Sequence, residues 1–200
     1  MTREELLQRY AASLEVGVMT REDLLQRYAA GERNFSRAEL TCVDLRELDL
    51  SGSNFTEAHM EGVILHGSCL RNCNFLTASL SDAVLSDADL RESDFLEAVL
   101  DNANLSGANL TNAKLDLAWL VGATLNAANL SFVSFGGTSL ENASLVDAIL
   151  ENTIFSYTTL VNTNMRNASL INARFSDCFY KQTILPNGSI LDDGSALEDT

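Results

Sequence analysis

The chain has 200 residues, 46% of them apolar, and carries 28 acidic against 13 basic residues for a formal charge of −15. That acidity argues against nucleic acid as a direct partner, because a phosphate backbone would be repelled, and leaves a protein partner or simple solubility as its use. No apolar run nears the roughly 18 residues a membrane span requires, and the charged start MTREELLQRY lacks the apolar core of a signal peptide, so the expected location is cytoplasmic and away from membranes.

Residues 1–12, MTREELLQRYAA, repeat residues 19–30, MTREDLLQRYAA, at eleven of twelve positions. The second copy reads as a helix, with Thr20 as N-cap, Leu24, Leu25, Tyr28 and Ala29 on one face, and Gly31 as stop. Residues 1–33 are therefore expected to form an amphipathic helical segment whose apolar face caps the first coil of the repeat region. The first copy is read either as a duplication or upstream extension, or as a second helix led by Leu6, Leu7 and Tyr10 that docks on a partner or another copy.

From Phe35 to Phe175 every fifth residue is Leu, Phe or Met, twenty-nine positions without a slip. The residue two before each is nearly always small, as at Ala38, Ala58, Ala78 and Ala103. A period of five fits neither a helix, where it would spiral round every face, nor one strand, where it would alternate between faces. A chain that bends once per pentad and points each central residue at a common axis satisfies it. Phe35, Phe55, Phe75, Phe95, Phe135, Phe155 and Phe175 are spaced by twenty, with Leu115 in the gap, so four pentads make one turn and the rings stack. Residues 34–186 thus form an all-β solenoid of about seven roughly square coils, stacked at about 4.8 Å into a rod of about 35 Å. Within a pentad the small and central residues face inward, the residue between them faces out, and the next two form the corner. Tyr180 and Leu185 keep the frame loosely before Pro186, Asn187 and Gly188 break it; residues 187–200 read as an acidic tail, partly disordered.

The runs AVLSDADLRESDF and NANLSGANLTNAKL resemble the A(D/N)LXX motif of pentapeptide-repeat proteins, over about residues 35–185. The flanks LLQRYAAGERNF and TILPNGSI resemble those of cyanobacterial members. The resemblance implies a right-handed quadrilateral parallel β-helix and supplies the hand of the coil. It implies little about activity: some members imitate DNA and bind type II topoisomerases, a few regulate through protein contacts, and most have no assigned activity.

Outward positions should be polar, so the exceptions are informative. Val99 and Trp119, the only Trp of the chain, share one face; Leu117 and Val121 flank Trp119, and Leu96 lies near Leu117 one coil below. These five form a candidate partner patch, set against the ordinary scatter of surface apolar residues. A candidate acidic surface comprises Asp82, Asp87, Asp89, Glu92, Asp94, Glu97 and Asp101, with Arg91 the one base in that turn. The first surface favours a non-enzymatic scaffold for protein–protein interaction; the second favours a DNA mimic that binds a type II topoisomerase. Residues 102–191, with five acids and four bases, would not extend the mimic along the rod. Weak self-association stays open. No catalytic residue, metal site or cofactor is expected, since a filled solenoid offers no pocket to bury a carboxylate. Cys42, Cys69, Cys73 and Cys178 lack metal-ligand spacing, and His59 and His66 lie on different repeats without a positioned acid.

Overall fold

The structure, a computed structural model, describes residues 17–192. The repeat at 1–12 and the residues from 193 onward lie outside the described residues. From Asn34 the chain winds as a right-handed quadrilateral parallel β-helix. Each side of each coil contributes one bridging residue, and every bridge joins residues twenty apart, from Asn34↔Asn54 to Asn164↔Ile184. On one face the ladder lengthens into two short strands, β1 (Ile154–Ser156) and β2 (Arg174–Ser176), paired in parallel.

The pentad closes because four of its five backbone N–H groups donate to backbone carbonyls. The central N–H donates to the coil above, as Leu40 to the His59 carbonyl at 2.7 Å, and the outward N–H donates to the coil below, as His59 to the Ala38 carbonyl at 3.0 Å. The second corner N–H also reaches up, as Cys42 to Glu61 at 2.8 Å, while the small inward residue closes the turn, as Val43 to Leu40 at 3.1 Å. That leaves the first corner N–H, and an outward Asn or Asp two residues earlier takes it: Ser36 donates to Asn34 Oδ1 at 3.2 Å, Thr56 to Asn54 Oδ1 at 3.0 Å, and Leu96 to Asp94 Oδ1 at 3.0 Å. The polar outward residue is therefore part of the turn, an Asx turn repeated along the rod.

Every fifth residue from Arg37 to Gln182, the second corner position, has φ between +51° and +71°. Gly, Asn and Asp supply most of these corners because they tolerate the left-handed region best. Inside, the central side chains are almost entirely buried, and the small residues before them fill the corners of the square. Where the small residue is Ser or Thr, its hydroxyl donates to a central carbonyl one coil below, as Thr138 to Leu115 at 2.6 Å and Ser93 to Leu70 at 2.7 Å. Ser53 has no coil beneath it to supply that carbonyl and its hydroxyl is buried without a partner. The phenylalanine register holds: Phe75 and Phe95 stack at 4.7 Å between centroids, Phe155 and Phe175 at 4.6 Å, and Leu115 interrupts the column.

At the open N-terminal edge lies α1 (Arg21–Ala29), capped by Thr20, which accepts from the Asp23 N–H while the Asp23 carboxylate accepts from the Thr20 N–H. Leu24 is buried against the first coil, and Leu25 and Tyr28 are half-buried. Ala29, expected on that face, is exposed; it lies about 140° round the axis from Leu24, past the edge of the stripe. The helical segment also serves carbonyls that no lower coil reaches: the Met19 N–H donates to Glu39, Arg21 Nη1 to Asp44 at 2.8 Å, and the Tyr28 hydroxyl to Ser51 at 3.2 Å. At the other end the chain turns at Pro186–Gly188, and β4 (Ile190–Leu191) pairs antiparallel with β3 (Thr183–Ile184).

Candidate functional site

The outward ladder Glu39, His59, Ser79, Val99, Trp119, Ser139, Thr159 and Phe179 runs up one face of the rod. No residue of this ladder is Asn or Asp, so none of them makes the Asx turn. The carboxylate of Asp101, one coil below, takes over and accepts the Val121 N–H at 2.9 Å. Asp116 does the same three sides on, accepting from the Gly136 N–H at 2.9 Å and from Ser134 Oγ at 2.5 Å. Trp119 stands 57% exposed, beside Leu117 at 49%.

Above these two side chains the ladder turns small. Gly137 lies over Leu117, and Ser139 and Thr159 lie over Trp119. The result is a depression of about 460 Å³ lined by Glu97, Leu117, Ala118, Trp119, Gly137, Ser139 and Thr159. Leu117 leans across the gap: a Cβ on Gly137 would lie 2.7 Å from Leu117 Cδ2. Further up, Tyr157 stands 71% exposed over Gly137, and Phe179 58% exposed over Thr159.

Of the five patch residues, Leu117 and Trp119 meet at the depression, while Leu96, Val99 and Val121 are half-buried beside it and do not line it. Sequence reasoning missed Glu97 as a lining residue of this face, together with Gly137, Ser139, Thr159, Tyr157 and Phe179. Counting upward by twenties from Leu117 and Trp119 would have found the last five.

The acidic residues of 82–101 do not form one stripe. Asp94 faces out on the phenylalanine side and Asp89 on the side before it, while Asp82, Asp87, Glu92, Glu97 and Asp101 occupy four different corners. Several are already engaged, from within the coil and from the coils beside it. Asp89 accepts from Arg91 Nε at 2.8 Å and Arg71 Nε at 2.6 Å, and these hydrogen bonds, Arg91's foremost, hold its carboxyl down at about 2. Lys114 Nζ donates to Asp94 at 3.2 Å, and Asp87 lies 3.7 Å from His66 Nδ1. The sequence counted only Arg91 against this coil because Arg71 and Lys114 belong to the coils below and above.

Among the described residues no group of three or more His, Cys, Asp or Glu side chains is placed to hold a metal ion. Cys73 takes the small inward position, its thiol 3.2 Å from the Leu50 carbonyl and pushed up to about 12 by burial. Cys178 is half-buried at the equivalent position two sides before the end of the rod, and Cys69 faces outward. No described helix is long and apolar enough to cross a membrane.

A family model described as pentapeptide repeats matches eight copies, over residues 34–75, 78–116, 118–156 and 155–179. Among solved structures, HetL, a pentapeptide repeat protein involved in heterocyst differentiation regulation from the cyanobacterium Nostoc sp. strain PCC 7120, is 25% identical over 86% of this chain and 100% of its own, with a TM-score of 0.27. A second pentapeptide repeat protein from Nostoc PCC 7120 is 24% identical over 80% of this chain and 87% of its own, with a TM-score of 0.27. QnrB1, a plasmid-mediated fluoroquinolone resistance protein, is 16% identical over 74% of this chain and 84% of its own, with a TM-score of 0.42. No match is found among curated proteins.

Proposed function

The chain belongs to the pentapeptide repeat family, and from that premise we propose that it is a non-enzymatic cytoplasmic scaffold that binds a partner protein through the Trp119 face. One observation carries this reading. The only Trp of the chain is more than half exposed beside a depression in the face of the rod. A rigid aromatic anchor beside a recess is what interface hot spots are made of. The DNA-mimic reading draws on the acidic coil alone. Its carboxylates encircle the rod and two of them are paired with Arg or Lys, so it has less support.

Affinity capture from host lysate tests the scaffold, with Trp119→Ala as control and circular dichroism to establish that the variant is folded. Loss of the captured partner in the variant is the expected result. Retention of the same partner would remove the main support for this face.

A further inference from the structure

The Trp119 depression has a chemistry as well as a shape. Among the described residues, the Trp119 indole N–H, the Ser139 and Thr159 hydroxyls and the Glu97 carboxylate have no side-chain partner, and all four residues line it. The charge around it has one sign. Following the register up this face and its two flanking corners, the residues between Arg37, which pairs with Glu57, and Lys181 include Glu61, Asp82, Glu97, Asp101, Asp116 and Glu141, and no Lys or Arg. On the other faces Arg46, Arg71, Arg91 and Lys114 are each paired with a carboxylate, and Arg166 and Arg174 lie in the coils above the depression. An exposed indole in a field of one negative sign, with one unpaired carboxylate at its rim, selects a cation.

We propose that this depression receives an arginine side chain from a basic segment of the partner protein. The proposal rests on the scaffold reading and adds the chemistry of what is bound. A guanidinium can lie flat on the Trp119 ring, attracted by the negative face of its π-system. From there its N–H fork reaches the Glu97 carboxylate as a charge-assisted pair. The Ser139 and Thr159 hydroxyls accept what remains of its donors, and the methylene stem lies against Leu117. The small side chains at Ser139 and Thr159 leave the room this requires.

The sole Trp makes the test direct, because its fluorescence reports on the proposed contact. The full-length protein is titrated at low salt with an acetylated, amidated penta-arginine peptide and with a penta-serine control. A saturable change in emission with penta-arginine alone is expected. Glu97→Gln should then weaken binding about threefold to fivefold, whereas Asp147→Asn, an equal charge change at a corner of another face, should leave it almost unchanged. Equal weakening by both variants would mean diffuse attraction to an acidic rod and would overturn the proposal, as would unchanged fluorescence up to about 1 mM peptide. If penta-arginine is silent while Trp119→Ala still abolishes partner capture, the arginine site fails and the scaffold stands. If penta-arginine binds as expected while Trp119→Ala leaves capture untouched, it is the scaffold reading that fails.

Discussion

The lower coils, up to residue 101, and the upper ones share a backbone and a core, and they show opposite surfaces to water. Residues 17–101 hold sixteen acids and seven bases, residues 102–191 five and four. Among the described residues every ion pair falls between Arg21 and Lys114. Among the described residues every exposed large apolar side chain except Val18 lies from Leu117 to Ile190, among them Trp119, Phe132, Tyr157, Ile171 and Phe179. The pentad asks only for a small residue, a large apolar one and a workable corner, so the outward positions vary without disturbing the fold. A solenoid of this kind separates what holds it together from what it displays.

That separation predicts that core damage costs the same in either region. Leu65 and Leu145 are both fully buried on the same side of the square. Truncating either to Ala should destabilise the rod by about 2–5 kcal/mol, and the two losses should agree within about 1 kcal/mol. Urea denaturation followed by circular dichroism measures both. A larger difference would mean that the surface contrast extends into the core.

The core was legible because the signal is local: one large residue in five, and a phenylalanine every twenty, state the period and the number of sides directly. The surface was less legible because its partners lie twenty residues away. Read along the chain, Asp89 is one carboxylate among seven; in the fold it is held by Arg71 from the coil below as well as by Arg91. Asn34, Asn54 and Asp94 read as merely polar and turn out to close the corners. Trp119 was conspicuous as a lone indole, but the recess beside it is made of residues that are small, such as Gly137 and Ser139, and small residues carry no signal of their own until the register stacks them.

A glycine from each region sharpens the contrast with a smaller effect. Gly52 has φ +71° and no atom within 4 Å of an added Cβ, so Ala there pays only for the left-handed backbone, about 1 kcal/mol. Gly137 has φ +66° and Leu117 Cδ2 2.7 Å from the same Cβ, so Ala should cost more and push Leu117 aside. Only Gly137→Ala should therefore shift the emission of Trp119. A shift with Gly52→Ala as well would mean that corner strain spreads between coils.

The smallest effect is in pH dependence, and it belongs to the lower region alone. The carboxyls held below their ordinary range by partners, Asp23, Glu32, Asp44, Asp49, Glu57 and Asp89, all precede residue 90. Asp89 stands at about 2 against an ordinary value near 4, because Arg91 and then Arg71 hydrogen-bond its ionised form. A carboxyl depressed on folding contributes stability above its unfolded value and loses it as pH falls towards the folded one. The Asp89 contribution is therefore complete above about pH 5, fades between about pH 4 and 2, and is gone below. Asp89→Asn should lower the urea midpoint at pH 7 and flatten its decline from pH 5 to pH 2, bringing variant and parent together at the acid end. A parallel decline in both proteins would place the acid sensitivity elsewhere, including the upper coils, and would erase the distinction between a charged region held partly by its surface and an apolar one held by its core.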